Sequence, residues 1–363
     1  MQKEKLTYKK AGVDTAREEL ALQYLIKWTG KTFGFKKRIG SIKLESGYFA
    51  NIIDIGSGKG LAISTDGVGT KILIAQLMGK YDTVGIDCVA MNVNDIICVG
   101  AEPVSMVDYL AVTRPDPELL DQLGKGLYEG AKIAGINIPG GEVAQVKEMI
   151  KGERSGYEFD LVGTAVGLID LSRIIIGKDI KEKDVVVGFA SSGIHSNGFT
   201  LARKALFEKG KLKVTTYIPE FEKTLGEELL EPTLIYVFPV LEMIKMGIDI
   251  KALIHITGGG LLNLNRVASP VSYLLDFLPE PQPIFSLIQK TGNISDEEMF
   301  SVFNMGIGFC IVVAEKDIDN VHQIAAKNNF KTCRIGYIKE VGKKEVIIPA
   351  RRLIGQKNRF LKY

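Results

Sequence analysis

The chain has 363 residues, 46% of them apolar and 25% charged, with a formal net charge of +3. That length predicts about two domains, and the balance excludes collagen-like, disordered, disulfide-scaffold and membrane-spanning classes. The small positive excess forms no long basic block, so neither nucleic acid nor a membrane surface is an expected partner. In chain order, Asp14 is placed to cap a helix over 14–28, where Leu20, Leu22, Leu25, Ile26 and Trp28 recur near helical spacing. LAIST (61–65) reads as a strand ending at Asp66, and KILIAQLM (71–78) as a helix stopped by Gly79. A helix from about Val84 to Val99 follows, then the strand PVSMVDYLAV. Asp116-Pro117 pairs an N-cap with a first-turn proline and opens a helix carrying Leu120, Leu123, Leu127 and Ala131. INIPGGE reads as a short strand into a loop, and FDLVGTAVGLI (159–169) as a long strand.

The polar, charged stretch IDLSRIIIGKDIKEKD marks a boundary. The domains expected are 1–172 and 173–350, with 351–363 a solvated basic tail. In the second half VVVGFA reads as a strand, FTLARKALFEK and TLIYVFPVLEMIKM as helices, and ALIHIT as a strand running into Gly258-Gly259-Gly260 and the helix LLNLNRVA. Ser295 with Glu298 matches a capping box, and IGFCIVV, TCRIGYI and EVIIP read as strands. The opening MQKEKLTYKK lacks the apolar stretch of a secretory signal, and the four cysteines form no CxxC pair. A reducing, cytoplasmic setting is the expectation.

Glycine, at 39 residues, is the unusual count. It clusters in SGKG, TDGVGTK, PGGE, SSGIHSNG, TGGG and MGIG, each beside an apolar run or a helical pattern. Such loops let backbone N–H groups approach a bulky anion. Familiar phosphate and hydrolase signatures are missing: Leu25 breaks the only candidate P-loop, and the sequence holds no GxGxxG after a strand, no GxSxG and no HExxH. What remains is acids beside glycines. In TDGVGTK, Asp66 stands at a strand end, Gly67 and Gly69 bare their amides, and Lys71 opens the next helix. Asp66 either caps that helix or approaches phosphate through a divalent cation such as Mg²⁺. On the next helix Asp87, Met91, Asn94 and Asp95 share one face, where burial demands partners or a cation. Glu142, after Gly140-Gly141, is a third acid. Ser192, His195, Ser196 and Asn197 lie on one glycine-rich loop, and His255 precedes another. Their hydroxyls, amide and imidazoles suit a phosphate monoester or another polar substrate.

Taken together, YKKAGVD, TDGVGTK, GIDCVAMNVND, GAEPVSMVDYLA, GGE, SSGIHSNGFTLARK, EPTLIYV, HITGGG, FNMGIGF and RIGYI resemble, in order and over nearly the whole chain, the aminoimidazole ribonucleotide synthetases (phosphoribosylformylglycinamidine cyclo-ligases) of purine biosynthesis. The resemblance implies an α+β N-terminal domain that dimerises through its sheet, followed by an α/β C-terminal domain. It implies ATP-dependent cyclisation of formylglycinamidine ribonucleotide, with ATP and Mg²⁺ as cofactors and a homodimer as the assembly. By the same resemblance, Asp66, Asp95 and Glu142 would hold the metal. Gly67, Gly69, Thr70, Lys71, Asn94 and Asp108 would join Asp66 and Glu142 around ATP. Ser192, His195, Ser196, Asn197 and Gly258, Gly259 and Gly260 would face the substrate, and Asp95, Lys71, His195 and His255 would serve catalysis, with either histidine able to shuttle a proton. The chain departs from the family at Val143 and Gln145, where GGETAE is usual, and carries only Ser46-Gly47-Tyr48-Phe49-Ala50 in place of a richer glycine flap. Selenophosphate synthetases, thiamine monophosphate kinases, the longer synthetase one step earlier, and a non-catalytic nucleotide-binding regulator are the alternatives. No cysteine precedes Cys88, and all three acids are present.

Overall fold

The computed structural model describes residues 5–363. Its first half runs α1 (Tyr8–Ala11), α2 (Thr15–Thr29), β1 (Asn51–Gly56), β2 (Lys59–Gly67), α3 (Ile72–Met78), α4 (Asp82–Ile97), β3 (Glu102–Val112), α5 (Pro117–Ala134), β4 (Gly141–Gln145) and β5 (Phe159–Asp170). The second half runs β6 (Val185–Ala190), α6 (Phe199–Arg203), β7 (Tyr217–Ile218), β8 (Lys223–Thr224), α7 (Leu225–Leu229), α8 (Val237–Lys245), β9 (Ile250–His255), β10 (Val271–Leu274), α9 (Pro283–Gly292), α10 (Asp296–Val302), β11 (Ile307–Val313), α11 (Ile318–Lys327) and β12 (Thr332–Val341). It ends in β13 (Glu345–Ile348), β14 (Leu353–Gln356) and β15 (Arg359–Lys362).

The first sheet has the order β1-β2-β5-β3-β4. β5 alternates buried and half-exposed residues along its length, so one face of the sheet meets α4 and the other is open. On the open face Val107, Tyr109 and Leu168 remain more than 40% exposed. Helix α4 lies between this sheet and α5 and is buried almost all round. Glycine permits the close approach: a Cβ on Gly126 would overlap the backbone of Asp82, and one on Gly85 would meet the backbone of Leu127. Asp116 caps α5 by accepting from the backbone N–H groups of Glu118 and Leu119, both at 3.1 Å, and Gly135 ends it in a left-handed turn.

The second sheet has the order β15-β14-β13-β10-β12-β6-β11-β9. It is mixed: β10 and β13 pair in parallel, and the remaining neighbours are antiparallel. β11, between β6 and the edge strand β9, is buried at every position, as its unbroken apolar run requires.

Five local readings need correction. The residues read as a solvated tail form β14 and β15, where Leu353 and Phe360 are buried. The expected helix from Thr233 begins only at Val237, because the polar backbone of the preceding segment is bound to side chains of the first domain. Ser295 precedes α10 without a side-chain cap, and Glu298 instead accepts from the backbone N–H of Tyr8. The strand expected in INIPGGE lies later, as β4, and LLNLNRVA makes a short 3-10 helix. Helix α2 forms as expected, with Asp14 accepting from Arg17 N–H at its start, yet none of its residues is buried.

Candidate active site at the border of the two domains

Asp66 sits on the last turn of β2, where Asn92 of α4 grips its backbone from both sides. Asp66 N–H donates to Asn92 Oδ1 at 2.9 Å, and Asn92 Nδ2 donates to Asp66 O at 3.0 Å. The carboxylate accepts from Gly67 N–H at 2.8 Å. Burial, and then the nearby charge of Asp95, push the Asp66 pKa up to about 6. Asp95 projects from α4 to His255 at the end of β9, with Oδ1 lying 2.9 Å from Nδ1. The carboxylate can only accept there, so Nδ1 carries the proton and Nε2 keeps its lone pair. Nε2 is buried and has no protein partner.

His195 lies in the turn between β6 and α6 with a positive φ of 59°. Ser192 N–H donates to its Nε2 at 3.2 Å, which places the ring proton on Nδ1. Nδ1 is buried and unpartnered. Burial above all, with the charge of Lys71 adding to it, holds the imidazole pKa well below its usual value, so the ring is neutral at pH 7. Asn304 braces the same turn, donating to Gly193 O at 2.9 Å and bonding the Ser191 hydroxyl at 3.2 Å. A Cβ on Gly258 would come within 3.2 Å of Asn197 Oδ1, so the two glycine-rich loops meet. Thr70 Oγ1 lies 3.2 Å from Thr200 Oγ1, which brings the TDGVGTK loop to the same place.

The structure reassigns several expected residues. Lys71 is fully buried, and its ammonium is held by Asp87 Oδ2 at 2.8 Å and by the carbonyl of Glu231 at 2.6 Å. Burial lowers its pKa and the Asp87 charge opposes that shift. Its donors face a protein carboxylate and carbonyl, so it is a strut between domains and not a phosphate ligand. Asn94 likewise binds backbone, donating to Leu234 O at 2.8 Å and accepting from Tyr236 N–H at 3.0 Å. The polar face read on α4 is real, but two of its members serve the segment 231–236.

The three acids do not converge within one chain. Asp66, Gly163 and Asp108 stand directly opposite one another on β2, β5 and β3, so Asp108 shares the face of Asp66 two strand spacings away, about 10 Å. Gly141 follows in that row on β4, and a Cβ there would overlap the Asp108 carboxylate. Glu142 pairs with Tyr109 and so belongs to the open face, where it is exposed. Among the described residues no group of three or more His, Cys, Asp or Glu side chains is arranged to hold a metal. Asp66 and Asp95 alone remain as a close carboxylate pair.

Arg266 went unnoticed in the sequence. It donates to Gly47 O at 3.2 Å and Tyr48 O at 2.9 Å and stacks over Phe49, 4.0 Å from its centroid. It also lowers the pKa of Asp66. An arginine after LLNLN carries no local signal of this role. A separate cleft of about 810 Å³, walled by Phe221, Pro281 and Leu287 among others, contains none of the sequence-predicted site residues.

Two sheet domains riveted by one helix, with a partly buried carboxylate–imidazole pair beside glycine-rich loops, define a two-domain protein with a candidate site at its domain border. The chain belongs to the AIR synthase related proteins: the N-terminal domain model of that family matches residues 47–169 and the C-terminal domain model residues 181–349. It is 50% identical over 335 residues to the phosphoribosylformylglycinamidine cyclo-ligase of Methanocaldococcus jannaschii, covering 92% of each chain. Among solved structures it is similar in fold to the thiamine monophosphate kinase of Aquifex aeolicus, with a TM-score of 0.60 at 17% identity over 92% of this chain and 98% of that one. It is also similar to Thermotoga maritima PurL complexed with ATP, with a TM-score of 0.55 at 14% identity over 86% of this chain and 45% of the other. No helix among the described residues is long and apolar enough to cross a membrane.

Proposed function

We propose that the chain is an ATP-dependent cyclo-ligase that converts formylglycinamidine ribonucleotide to aminoimidazole ribonucleotide, ADP and phosphate. The structural observation that carries the reading is the Asp95–His255 pair, whose free imidazole nitrogen is buried beside Asp66 and the glycine-rich loops. Support for the substrate comes from the relatives that bear the cyclo-ligase name over nearly their full length.

The formyl oxygen of the substrate attacks the γ-phosphorus of ATP, ADP departs, the formamide N–H gives up its proton to water, and the oxygen is left as a phosphate ester of an imidate. A substrate nitrogen then attacks the activated carbon, loses its proton, and expels phosphate with the former formyl oxygen. Holding both reactive centres in one molecule favours closure, by roughly 7–11 kcal/mol in well-oriented systems. His255 Nε2 takes the proton of the attacking nitrogen, and Asp95 steadies the imidazolium. His195 cannot accept a proton at Nε2 while Ser192 N–H occupies it, so it acts as a neutral Nδ1–H donor to substrate.

Mg²⁺ fits Asp66 and Asp95, a partly buried like-charged pair that a divalent cation would relieve. When bound, it neutralises charge on the transferring phosphate. Gly67, Gly69 and Thr70 line the approach for the nucleotide, and Ser192, Ser196, Asn197 and Gly258–Gly260 the approach for the ribonucleotide. The open face of the first sheet is the surface for a second copy, giving a homodimer that covers Val107, Tyr109 and Leu168 and takes Glu142 into the interface.

The test is substrate dependence. ADP is expected only when formylglycinamidine ribonucleotide is supplied, and ¹⁸O in its formyl group is expected in released phosphate. Phosphate free of the label would rule out the activation step.

A further inference from the structure

The segment Glu231-Pro232-Thr233-Leu234-Ile235-Tyr236 is neither helix nor strand and ties the two domains together. On the side of the first domain it is bound by Lys71, Asp87 and Asn94. On the other, Ser192 Oγ donates to Pro232 O at 2.6 Å, and Tyr236 hydroxyl donates to Ala190 O at 3.0 Å. Thr233 sits at the centre. Its N–H and its hydroxyl both donate to Asp87 Oδ1, each at 2.7 Å. Its Oγ1 also lies 3.2 Å from Oγ of the buried Ser196.

These contacts fix the direction of a proton. The carboxylate paired with Lys71 accepts only, so Thr233 spends its single hydroxyl proton on Asp87. Thr233 Oγ1 can then only accept from Ser196, and Ser196 spends its own proton on Thr233. What Ser196 has left to offer is lone pairs. Its loop was read as suited to a phosphate monoester, but a hydroxyl polarised this way repels phosphate and carbonyl oxygens and favours an O–H or N–H group.

We propose that Asp87 is a positioning residue which, through Thr233, makes Ser196 a dedicated hydrogen-bond acceptor for a donor group of the ribonucleotide, a ribose hydroxyl or an amidine N–H. This deepens the cyclo-ligase reading and rests on it. A buried ion pair adds little stability over apolar residues of the same volume, which leaves orientation of the bound segment as its use here.

Thr233→Val tests the proposal, because it keeps the branched shape and the backbone bond to Asp87 while freeing the Ser196 proton. The KM for formylglycinamidine ribonucleotide is expected to rise about fivefold or more, the effect of losing one hydrogen bond, with the KM for ATP unchanged. Thr233→Ser is expected to restore wild-type behaviour. Ser196→Ala, which leaves the buried pair intact, is expected to match Thr233→Val, and the double variant to be no worse than either. The proposal is overturned if Thr233→Val leaves the ribonucleotide KM unchanged, if the KM for ATP rises as much, or if Thr233→Ser fails equally. Wild-type protein that makes no ADP with the ribonucleotide overturns the cyclo-ligase reading and this proposal with it. Normal wild-type turnover beside an unaffected Thr233→Val overturns the proposal alone.

Discussion

His255 and Asp95 come from different domains, one at the end of β9 and the other near the end of α4, and meet at 2.9 Å. The contact orients the imidazole and leaves its second nitrogen to act. His255→Gln is therefore expected to lower kcat for ADP formation by a factor of about 100 or more. The KM for ATP should stay within about twofold. Asp95→Asn should lower kcat as well, and it should also weaken Mg²⁺ dependence, which His255→Gln should not. Titrating Mg²⁺ against both variants separates the two roles, and equal metal dependence would remove Asp95 from the cation site.

Asp66 gives a pH dependence of defined sign. Its folded pKa of about 6 lies above the ordinary 3.8, so the folded protein binds the proton more tightly than the unfolded chain. Without metal, stability should fall as pH rises from about 4 to 6 and then level off. The loss is bounded at about 3 kcal/mol for a shift of this size. Metal binding should show the opposite trend, strengthening through pH 6 as the carboxyl ionises. Urea unfolding at stepped pH, with and without Mg²⁺, checks both trends, and Asp66→Asn should flatten each curve.

Gly308, in β11, packs against the ring of His195 and the hydroxyl of Tyr236, and a Cβ added there would overlap both. Gly308→Ala should lower stability by about 1–3 kcal/mol, the usual cost of overfilling a packed site. Turnover should fall further than that loss of folded protein explains, since the displaced ring is part of the proposed site. Thermal melting and steady-state kinetics on the same sample measure the two effects. Wild-type turnover in a destabilised variant would detach His195 from the reaction.

Leu168 and Val107 are 46% and 45% exposed on the open sheet face. Leu168→Glu together with Val107→Lys should leave the single chain folded, because exposed substitutions seldom cost more than about 0.5 kcal/mol. Light scattering should then report a monomer for the double variant and a dimer for the wild type. A dimer that survives both charges would place the interface elsewhere.

The strands and caps of the core were legible because their signals are local. Asp116-Pro117, Gly79 and the unbroken run of β11 each act over a few residues. The face of α4 was legible too, since helical spacing alone puts Asp87, Asn94 and Asp95 together. What those residues bind was not, because their partners lie far along the chain: Thr233 for Asp87, Tyr236 for Asn94, His255 for Asp95. Lys71 was misread for the same reason, its counter-charge being hidden on α4. Glu142 lies apart from Asp66 within one chain for a subtler reason. It directly follows the glycine opposite Asp108, and in a strand the next residue faces the other way. The helical reading of 233–236 rested on apolar spacing, which does not register that its backbone is claimed by distant side chains.

Helix α4 belongs to the first sheet domain, yet its side chains hold a histidine and an irregular segment of the second. Rocking one domain away from the other would strip charged and polar groups of their partners in a dry interior. The two halves therefore turn over as one block. Reactants must come and go through the peripheral loops, so turnover should be paced by the mobility of those loops and not by any hinge at the domain border.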